Sequence, residues 1–506
     1  MFLIKCLILF SLIHCLVLLY WRAQESSPAS GIGDTIRKEF FVEQRKITVE
    51  GVLNESWTGE KYFAFRGIPY VKPPIGQLRF KDPKPLEELP SFIDARYDGH
   101  DCHSIYATNA SEDCLVLNIY TPTIIETAAL PVLVFIHPGG LYIGSSLSSF
   151  ISPAYLLSKP LIVVTFNYRL GTLGFLQLGT HEIPGNAGFK DQVHALRWVA
   201  KYIQLFGGNP KDITLMGYSA GALSVSLHLV SPMSQGLFHK AIIMSGSVPP
   251  QKPLPERAQL ELMRKQARIL NCTHAMDETE ILNCLQQFNG YEITSTLRSL
   301  FEFGKGFTNG ELCQFAVDIM RGSRLERQFY EEFEKLAPSI FMYADHKGDL
   351  SKISAALRER YLRNSSSLDH NNLARLCDFF SDGIIRFGAQ RLAELAAPHT
   401  KVFPYSFEFR GEFTHLNYPI KPDRVEHMDD LMYLFEMNPS TFKHSESNTA
   451  MIRKYTKLVF NFMKKGSLLF GPTYPTGYTK IHRTLEFQPG TFFSKDTYDM
   501  WKQLFL

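Results

Sequence analysis

The chain has 506 residues, of which 45% are hydrophobic, 13% aromatic and 20% charged. This much apolar material can form a large buried core, which excludes a disordered chain. Lysine and arginine number 53 against 50 aspartates and glutamates, a formal net charge of +3. The near balance, with no long basic block, gives no reason to expect a nucleic-acid partner.

The first residues have the layout of an export signal. Lys5 precedes an apolar run over residues 6–20, which is shorter than the roughly 20 residues needed to span a bilayer. A signal peptide over residues 1–23, cleaved near Ala23, is therefore predicted, and the protein is expected to be secreted. Trp21 fits a cleavage site badly, so an uncleaved membrane anchor is the alternative.

Cysteines and glycosylation acceptors agree with an exported chain. Among the eight cysteines, two pairs share the same spacing, and neither has the close spacing of a metal site. In an oxidising compartment the simpler interpretation is two short-loop disulfides, Cys102 with Cys114 and Cys272 with Cys284. Glycosylation acceptors begin at Asn54, Asn109, Asn271 and Asn364, and the second and third lie beside the cysteine pairs, in expected surface loops.

From residue 130 onward, apolar runs alternate with helical patterns. Runs that are apolar throughout suit strands buried on both faces of a sheet, and four lie at residues 130–136, 161–166, 213–216 and 241–244. Apolar residues recur every three or four positions from Phe189 to Ile203, and Gly207-Gly208 ends this helix.

The later part of the chain continues the pattern. A strand is predicted over residues 402–409, and residues 290–400 are mostly helical and polar. Alternating strands and helices predict an α/β fold with a mostly parallel central sheet and helices on both faces. No linker rich in Pro, Gly or Ser is found, so residues 30–506 are expected to form one domain.

A nucleophile motif lies where a predicted strand meets a predicted helix. Gly217-Tyr218-Ser219-Ala220-Gly221 matches G-x-S-x-G, a pattern that is weak alone. Here the apolar run 213–216 leads into it, and a helix follows to about Val230. Strand, tight turn and helix with Ser219 at the apex are typical of an activated serine. The alternative is a serine in an ordinary turn.

A glycine pair lies at the end of an earlier strand. His137-Pro138-Gly139-Gly140 follows the run at 130–136 directly, and bare glycine N–H groups can point into a site. We expect the backbone N–H groups of Gly139, Gly140 and Ala220 to form an oxyanion hole, whereas Pro138 has no N–H to donate. The alternative is a simple glycine turn.

The sequence resembles the type-B carboxylesterases, the cholinesterase-like branch of the α/β-hydrolases, and most closely their insect members. The resemblance runs from about residue 40 to the C-terminus. Its blocks occur in the family's order: Phe65-Arg66-Gly67-Ile68-Pro69-Tyr70, Pro73-Pro74-Ile75-Gly76-Gln77-Leu78-Arg79-Phe80, Ser111-Glu112-Asp113-Cys114-Leu115, Asn167-Tyr168-Arg169-Leu170-Gly171, Gly185-Asn186-Ala187-Gly188, Asp191-Gln192 and Phe206-Gly207-Gly208-Asn209-Pro210.

The resemblance implies an α/β-hydrolase fold and a Ser–Glu–His triad in that chain order. The glutamate block matches Gly306-Phe307-Thr308-Asn309-Gly310-Glu311-Leu312, which assigns the acid to Glu311. The histidine that precedes an acidic pair and an aromatic helix start is His427. No metal or cofactor is implied.

The resemblance also implies structural pairs. It pairs the same cysteines as the spacing does, and it implies an ion pair between Arg79 and Glu112. Cys313 and Cys377 have no family partner. We expect both to be buried thiols, and a bond between them is the alternative.

The chain departs from the family pattern in four places. The loop between Cys102 and Cys114 contains no tryptophan to bind a quaternary ammonium, and Tyr218 replaces the acid of cholinesterases and the glutamine typical of juvenile hormone esterases. Choline esters and juvenile hormone are therefore not the expected substrates. The interval from Ser219 to Glu311 is shorter than usual, which indicates either a more open pocket or a missing segment. Leu312 replaces a family glycine and would crowd a turn.

The predicted function is hydrolysis of small carboxylic esters through an acyl-enzyme. The rival is a non-catalytic member of the same fold that acts in adhesion or binding, and only the short interval before Glu311 favours it. A lipase would need an amphipathic lid, which the sequence does not indicate.

Overall fold

We describe a computed structural model of the chain. It describes residues 34–506 except 106, 108, 178–179, 181–182, 249–255, 273–276, 301–328, 342, 344–345, 347, 364, 367–369, 413–424, 438–441 and 469–470. Within these residues, no helix combines the length and the apolar character that a membrane crossing requires.

Fourteen strands are found in the described residues. They are β1 Thr35–Val42, β2 Arg45–Glu55, β3 Lys61–Pro69, β4 Phe92–Asp94, β5 Asp101–Cys102, β6 Ala110–Ser111, β7 Val116–Thr121, β8 Leu130–Ile136, β9 Ile162–Phe166, β10 Gly208–Tyr218, β11 Lys240–Met244, β12 Tyr405–Phe407, β13 Gly477–Ile481 and β14 Leu485–Pro489.

Thirteen α-helices accompany them in the same residues. They are α1 Gly171–Phe175, α2 Ala187–Tyr202, α3 Ala220–Val230, α4 Glu256–Ile269, α5 Glu278–Leu285, α6 Gly290–Ser295, α7 Leu297–Leu300, α8 Phe333–Ile340, α9 Leu350–Leu357, α10 His370–Ser381, α11 Phe387–Ala396, α12 Glu446–Lys465 and α13 Lys495–Phe505.

The central sheet has nine strands in two halves. Its order is β1-β2-β3-β7-β9-β8-β10-β11, with β4 beside β2. Along the path from β1 to β9 the strands pair antiparallel, β4 pairs parallel with β2, and β9, β8, β10 and β11 pair parallel. The α/β fold is as predicted, although the sheet is mixed and not mostly parallel, and the parallel half carries the motifs that the sequence singled out.

Side-chain alternation along the parallel strands separates two cores. In β8, Val132, Val134 and Ile136 face one core, which contains residues of α2 and α3. Leu133 and Phe135 face the other core, which contains residues of α12 and of the segment after His427. Because successive residues of a strand point to opposite faces, an apolar run without alternation places helices on both faces of the sheet.

A second, three-stranded sheet lies near the carboxyl end of the chain, in the order β12-β13-β14. A cavity of about 1610 Å³ lies between the two sheets, lined by residues 240–243 of β11 and by residues 404–408 around β12. In the part of the chain that the structure describes, both β11 and β12 are edge strands.

Both predicted disulfides are present, Cys102–Cys114 and Cys272–Cys284. Cys377 is also disulfide-bonded, so the prediction of a free thiol is wrong for this residue, and Cys313 lies outside the described residues. The predicted position in surface loops is confirmed for Asn109 and Asn271, which are exposed and lie outside helices and strands.

The predicted ion pair of Arg79 is confirmed. Its Nε donates to Glu112 Oε2 at 2.6 Å, and its Nη1 donates to the carbonyl of Phe288 at 2.7 Å. The pair therefore joins the first disulfide loop to the segment that follows the second.

Candidate functional site

The structure places Ser219 at a sharp turn between β10 and α3. The backbone of Ser219 has φ 54° and ψ −117°, a strained conformation for a residue with a side chain. Its N–H donates to the Met244 carbonyl at 2.9 Å, and its carbonyl accepts from Leu223 N–H at 2.9 Å. The turn is therefore held by β11 on one side and by the first turn of α3 on the other.

Close backbone approaches explain the glycines on both sides of this serine. A Cβ on Gly217 would lie 2.2 Å from the Gly221 carbonyl oxygen, and a Cβ on Gly221 would lie 2.1 Å from the Ile136 carbonyl oxygen. No side chain fits at such distances. The second contact also shows that the turn packs directly on the end of β8, where the glycine pair begins.

The glycine pair turns sharply after β8. Gly139 has φ 127° and Gly140 has φ 62°, both in the region that favours glycine. The Gly139 carbonyl accepts from Tyr142 N–H at 3.1 Å and Ile143 N–H at 2.9 Å. A carbonyl bonded in this way is turned into its own loop. Ala220, the third predicted donor, is the first residue of α3, where N–H groups lack intrahelical partners.

His137 beside this loop is a buried structural residue. Its Nδ1 lies 2.8 Å from the Pro138 carbonyl, which can only accept, so Nδ1 carries the proton. The ring stacks on Tyr168 at 4.4 Å between centroids. Burial lowers the pKa of His137 to about 4, and the imidazole is therefore neutral near pH 7.

His427 lies next to the end of β10 that leads into the Ser219 turn. Its ring centroid is 5.0 Å from that of Tyr218, the residue immediately before Ser219. Met428, immediately after His427, has φ 78°. Its N–H donates to the Tyr218 hydroxyl oxygen at 2.8 Å. The structure thus brings the predicted imidazole next to the strand end that carries the predicted nucleophile.

The same hydroxyl binds a buried carboxylate. Tyr218 Oη donates to Asp430 Oδ1 at 2.7 Å, and both residues are buried. Burial raises the pKa of Asp430 to about 6, against the hydrogen bond from Tyr218, which lowers it. Burial also raises the pKa of the Tyr218 phenol well above its ordinary value, so the phenol keeps its proton.

Sequence reasoning missed this Tyr218–Asp430 contact. Tyr218 was singled out only as a departure from related families, and Asp430 only as half of an acidic pair. Strand parity was the available signal, because Tyr218 shares the parity of Met216 and faces the core that contains Met428.

Glu311, the predicted catalytic acid, lies outside the described residues, as do Leu312 and the glycosylation acceptor Asn364. Asn54 is half-buried within β2.

The large cavity reaches His427 and Asp430, and it extends along the outer edge of β11 from His239 to Gly246. Within the described residues, no three His, Cys, Asp or Glu side chains group closely enough to hold a metal ion.

This chain is similar to known proteins over most of its length. The model of the carboxylesterase family matches residues 39–307 and 303–497. Juvenile hormone esterase of Tribolium castaneum is 31% identical over 476 residues, which cover 82% of this chain and 81% of that protein. Cocaine esterase of Oryctolagus cuniculus is 32% identical over 449 residues, which cover 79% of this chain and 82% of that protein.

A solved structure agrees with the sequence comparisons. The crystal structure of juvenile hormone esterase from Manduca sexta, with OTFP covalently attached, matches with a TM-score of 0.76 and 27% identity, over 93% of this chain and 99% of that chain. The chain therefore belongs to the carboxylesterase family and is a carboxylic ester hydrolase with the α/β-hydrolase fold.

Proposed function

We propose that this protein is a secreted serine carboxylesterase that acts through the triad Ser219, Glu311 and His427. The observation that supports it most is the strained, positive-φ turn at Ser219, next to a loop that carries His427. A serine held at such a turn presents its hydroxyl above the sheet, where a substrate can reach it.

The proposed reaction has two halves. Ser219 Oγ attacks the ester carbonyl while His427 takes its proton, and Glu311 orients the imidazole and stabilises its charged form. The alcohol leaves with a proton from His427, and water then attacks the acyl-enzyme by the same route. His137, which burial keeps neutral and bonded to its own loop, is not a competing base.

The oxyanion of each half-reaction is proposed to bind to backbone N–H groups of Gly139, Gly140 and Ala220. Each such donor contributes about 2.7–4 kcal/mol to the stability of the transition state in related chemistry. The glycine φ values and the position of Ala220 at the start of α3 support this assignment.

The substrate class is proposed to be small carboxylic esters, in agreement with relatives that are named as esterases.

Residues 1–23 are proposed to be an export signal, followed by one domain over residues 30–506. Asn54, Asn109, Asn271 and Asn364 are the proposed glycan sites, of which Asn109 and Asn271 are exposed. Peptide-N-glycosidase treatment and N-terminal sequencing of the secreted protein test these assignments.

Replacement of the nucleophile tests the proposed chemistry directly. Ser219→Ala is expected to reduce hydrolysis of a simple aryl ester by roughly a millionfold and to prevent covalent labelling by a fluorophosphonate. Ser226→Ala is the matched control, because Ser226 is a buried serine of α3, the helix that follows Ser219, and its hydroxyl donates locally to the Ala222 carbonyl at 2.9 Å. Unchanged labelling of Ser219→Ala would refute the assignment of Ser219 as the nucleophile. A wild-type protein that is not labelled would refute the proposed serine mechanism.

A further inference from the structure

We infer that Tyr218 is a positioning residue, whose hydroxyl fixes the His427 loop against the strand end that carries Ser219. This inference rests on the proposed function of Ser219 and His427, and it adds a part that the proposed triad does not contain.

A single oxygen atom makes both contacts that carry the inference. Tyr218 Oη accepts from Met428 N–H at 2.8 Å and donates to Asp430 Oδ1 at 2.7 Å. Met428 and Asp430 lie one and three residues after His427, on the same loop. The hydroxyl uses its one proton toward the carboxylate and a lone pair toward the amide, so both contacts are satisfied together.

The backbone around His427 needs such a restraint. Met428 has φ 78°, a conformation that a residue with a side chain adopts only where its surroundings enforce it. Its fixed N–H defines the peptide plane that leads out of His427. The charged acceptor strengthens the other contact, because hydrogen bonds to a carboxylate are stronger than neutral ones.

Rigidity on the Tyr218 side makes the hydroxyl an effective anchor. Tyr218 is fully buried at the end of β10, and its neighbour Ser219 is bonded to Met244 of β11. The ring of Tyr218 packs 5.0 Å from the His427 ring, centroid to centroid. Any movement of the His427 loop relative to the Ser219 turn must therefore break a contact to this side chain.

The test compares two tyrosine-to-phenylalanine variants. Tyr218→Phe keeps the ring and removes the hydroxyl. Tyr70→Phe is the matched control, because Tyr70 is equally a buried tyrosine of the sheet region whose hydroxyl donates to a backbone carbonyl, that of Asn167, at 2.6 Å, away from the His427 loop. The measurements are kcat and KM for an aryl ester and the rate constant of fluorophosphonate labelling per competent site, from active-site titration.

We expect Tyr218→Phe to lower kcat and the labelling rate constant about 10- to 100-fold, since small displacements of catalytic groups have effects of this size. KM should change less than about threefold, because the ester itself is not held by the hydroxyl. Tyr70→Phe should leave the rate constants at the wild-type value. Equal rate constants for Tyr218→Phe and Tyr70→Phe would overturn the positioning role of Tyr218. Labelling of the wild-type protein would in that case still support the proposed esterase.

A second variant keeps the inference testable if Tyr218→Phe does not fold. Asp430→Asn keeps the side-chain shape and removes the charge that the phenol binds. It is expected to lower the labelling rate constant in the same direction, by about tenfold or less, since one charge-assisted contact becomes neutral. In the double variant the effects should not add, because the contact that Asp430→Asn weakens is already absent once the Tyr218 hydroxyl is removed. Full additivity, or no effect of Asp430→Asn, contradicts the inference.

Discussion

Two histidines of the parallel half of the fold, His137 and His228, are kept neutral by burial. Burial lowers the pKa of each to about 4. His228 bridges α3 and α2, with Nε2 2.9 Å from Gln192 Oε1 and Nδ1 2.7 Å from Ser234 Oγ. When the pH falls from 6.5 to 4, the unfolded chain gains a proton at each residue that the folded chain does not. Both histidines therefore lower the stability of the fold in acid.

Replacement of His228 should reduce this acid sensitivity. Each lowered pKa corresponds to about 3 kcal/mol of stability that is present above pH 6.5 and lost toward pH 4. We therefore expect the melting temperature of His228→Gln to decrease less than that of the wild type between pH 7 and pH 5, as measured by thermal unfolding. His239→Gln, which removes an exposed imidazole, serves as the control. An equal decrease in both variants would contradict the prediction.

At the scale of single residues, the sequence was informative where chemistry has a fixed local pattern. Ser219 could be singled out because close backbone contacts require the glycines on both sides of it. Both disulfides could be predicted from the spacing of the cysteines. Tyr218 and Asp430 could not be paired in advance, because their contact depends on how two distant parts of the chain pack. His427 required a family resemblance, since nothing local distinguishes it among 16 histidines.

The connection between β9 and α2 depends on one buried ion pair. Arg169 Nε and Nη2 donate to the two carboxylate oxygens of Asp191 at 2.8 and 2.7 Å, and Arg169 N–H donates to the same carboxylate at 3.1 Å. The Asp191 side chain is completely buried and that of Arg169 is 4% exposed. Such a pair contributes little net stability, but a lone charge left in its place is costly.

Removal of one partner should therefore destabilise the protein more than removal of both. Asp191→Ala is expected to cost about 3–5 kcal/mol, whereas the double variant Arg169→Met/Asp191→Leu should cost clearly less. Chemical denaturation followed by tryptophan fluorescence measures both. Asp82→Ala is the control. It breaks the more exposed ion pair between Asp82 and Lys190, the residue immediately before Asp191. Its loss is expected to lower the free energy of unfolding by about 1 kcal/mol or less. A double variant as unstable as Asp191→Ala would contradict the expectation.

At the scale of elements, prediction succeeded for the four strands of the parallel half, although β11 is only half-buried and not buried on both faces. The runs at 130–136, 161–166, 213–216 and 241–244 correspond to β8 to β11, and the predicted helices correspond to α2 and α3. Strands β1, β2 and β3 were not identified, since such partly exposed strands mix polar and apolar residues. The exposed strand β14 has no apolar run for the same reason, and its pairing depends on tertiary contacts.

On the scale of the whole molecule, the cavity between the two sheets leaves one edge of the central sheet without a neighbouring strand in the described residues. Residues 240–243 of β11 are only half-buried, whereas β8 and β9 are buried almost throughout. In a parallel ladder an edge strand offers half of its backbone groups to one neighbour and leaves the other half free. Within the described residues, β11 pairs with β10 alone.

Hydrogen exchange should therefore differ between neighbouring strands. Amides of β11 that face the cavity are expected to exchange with solvent far faster than those of β8, which is paired on both sides. Exchange followed by mass spectrometry on peptides that cover residues 240–244 and 130–136 compares the two, with the second peptide as the internal reference. Equal, complete protection of both peptides would show that the outer edge of β11 is covered in solution.

The contact between Tyr218 and Asp430 joins residues that are 212 positions apart. The segment after His427 packs through Tyr433 on Phe407, which in turn packs on Tyr455 of the later helix α12. During synthesis the ribosome therefore finishes the serine turn long before the imidazole exists. Under the proposed triad, a nascent chain that ends anywhere before residue 427 carries a serine hydroxyl without its base, so we expect hydrolytic activity only after the late helices have emerged and packed onto the sheet.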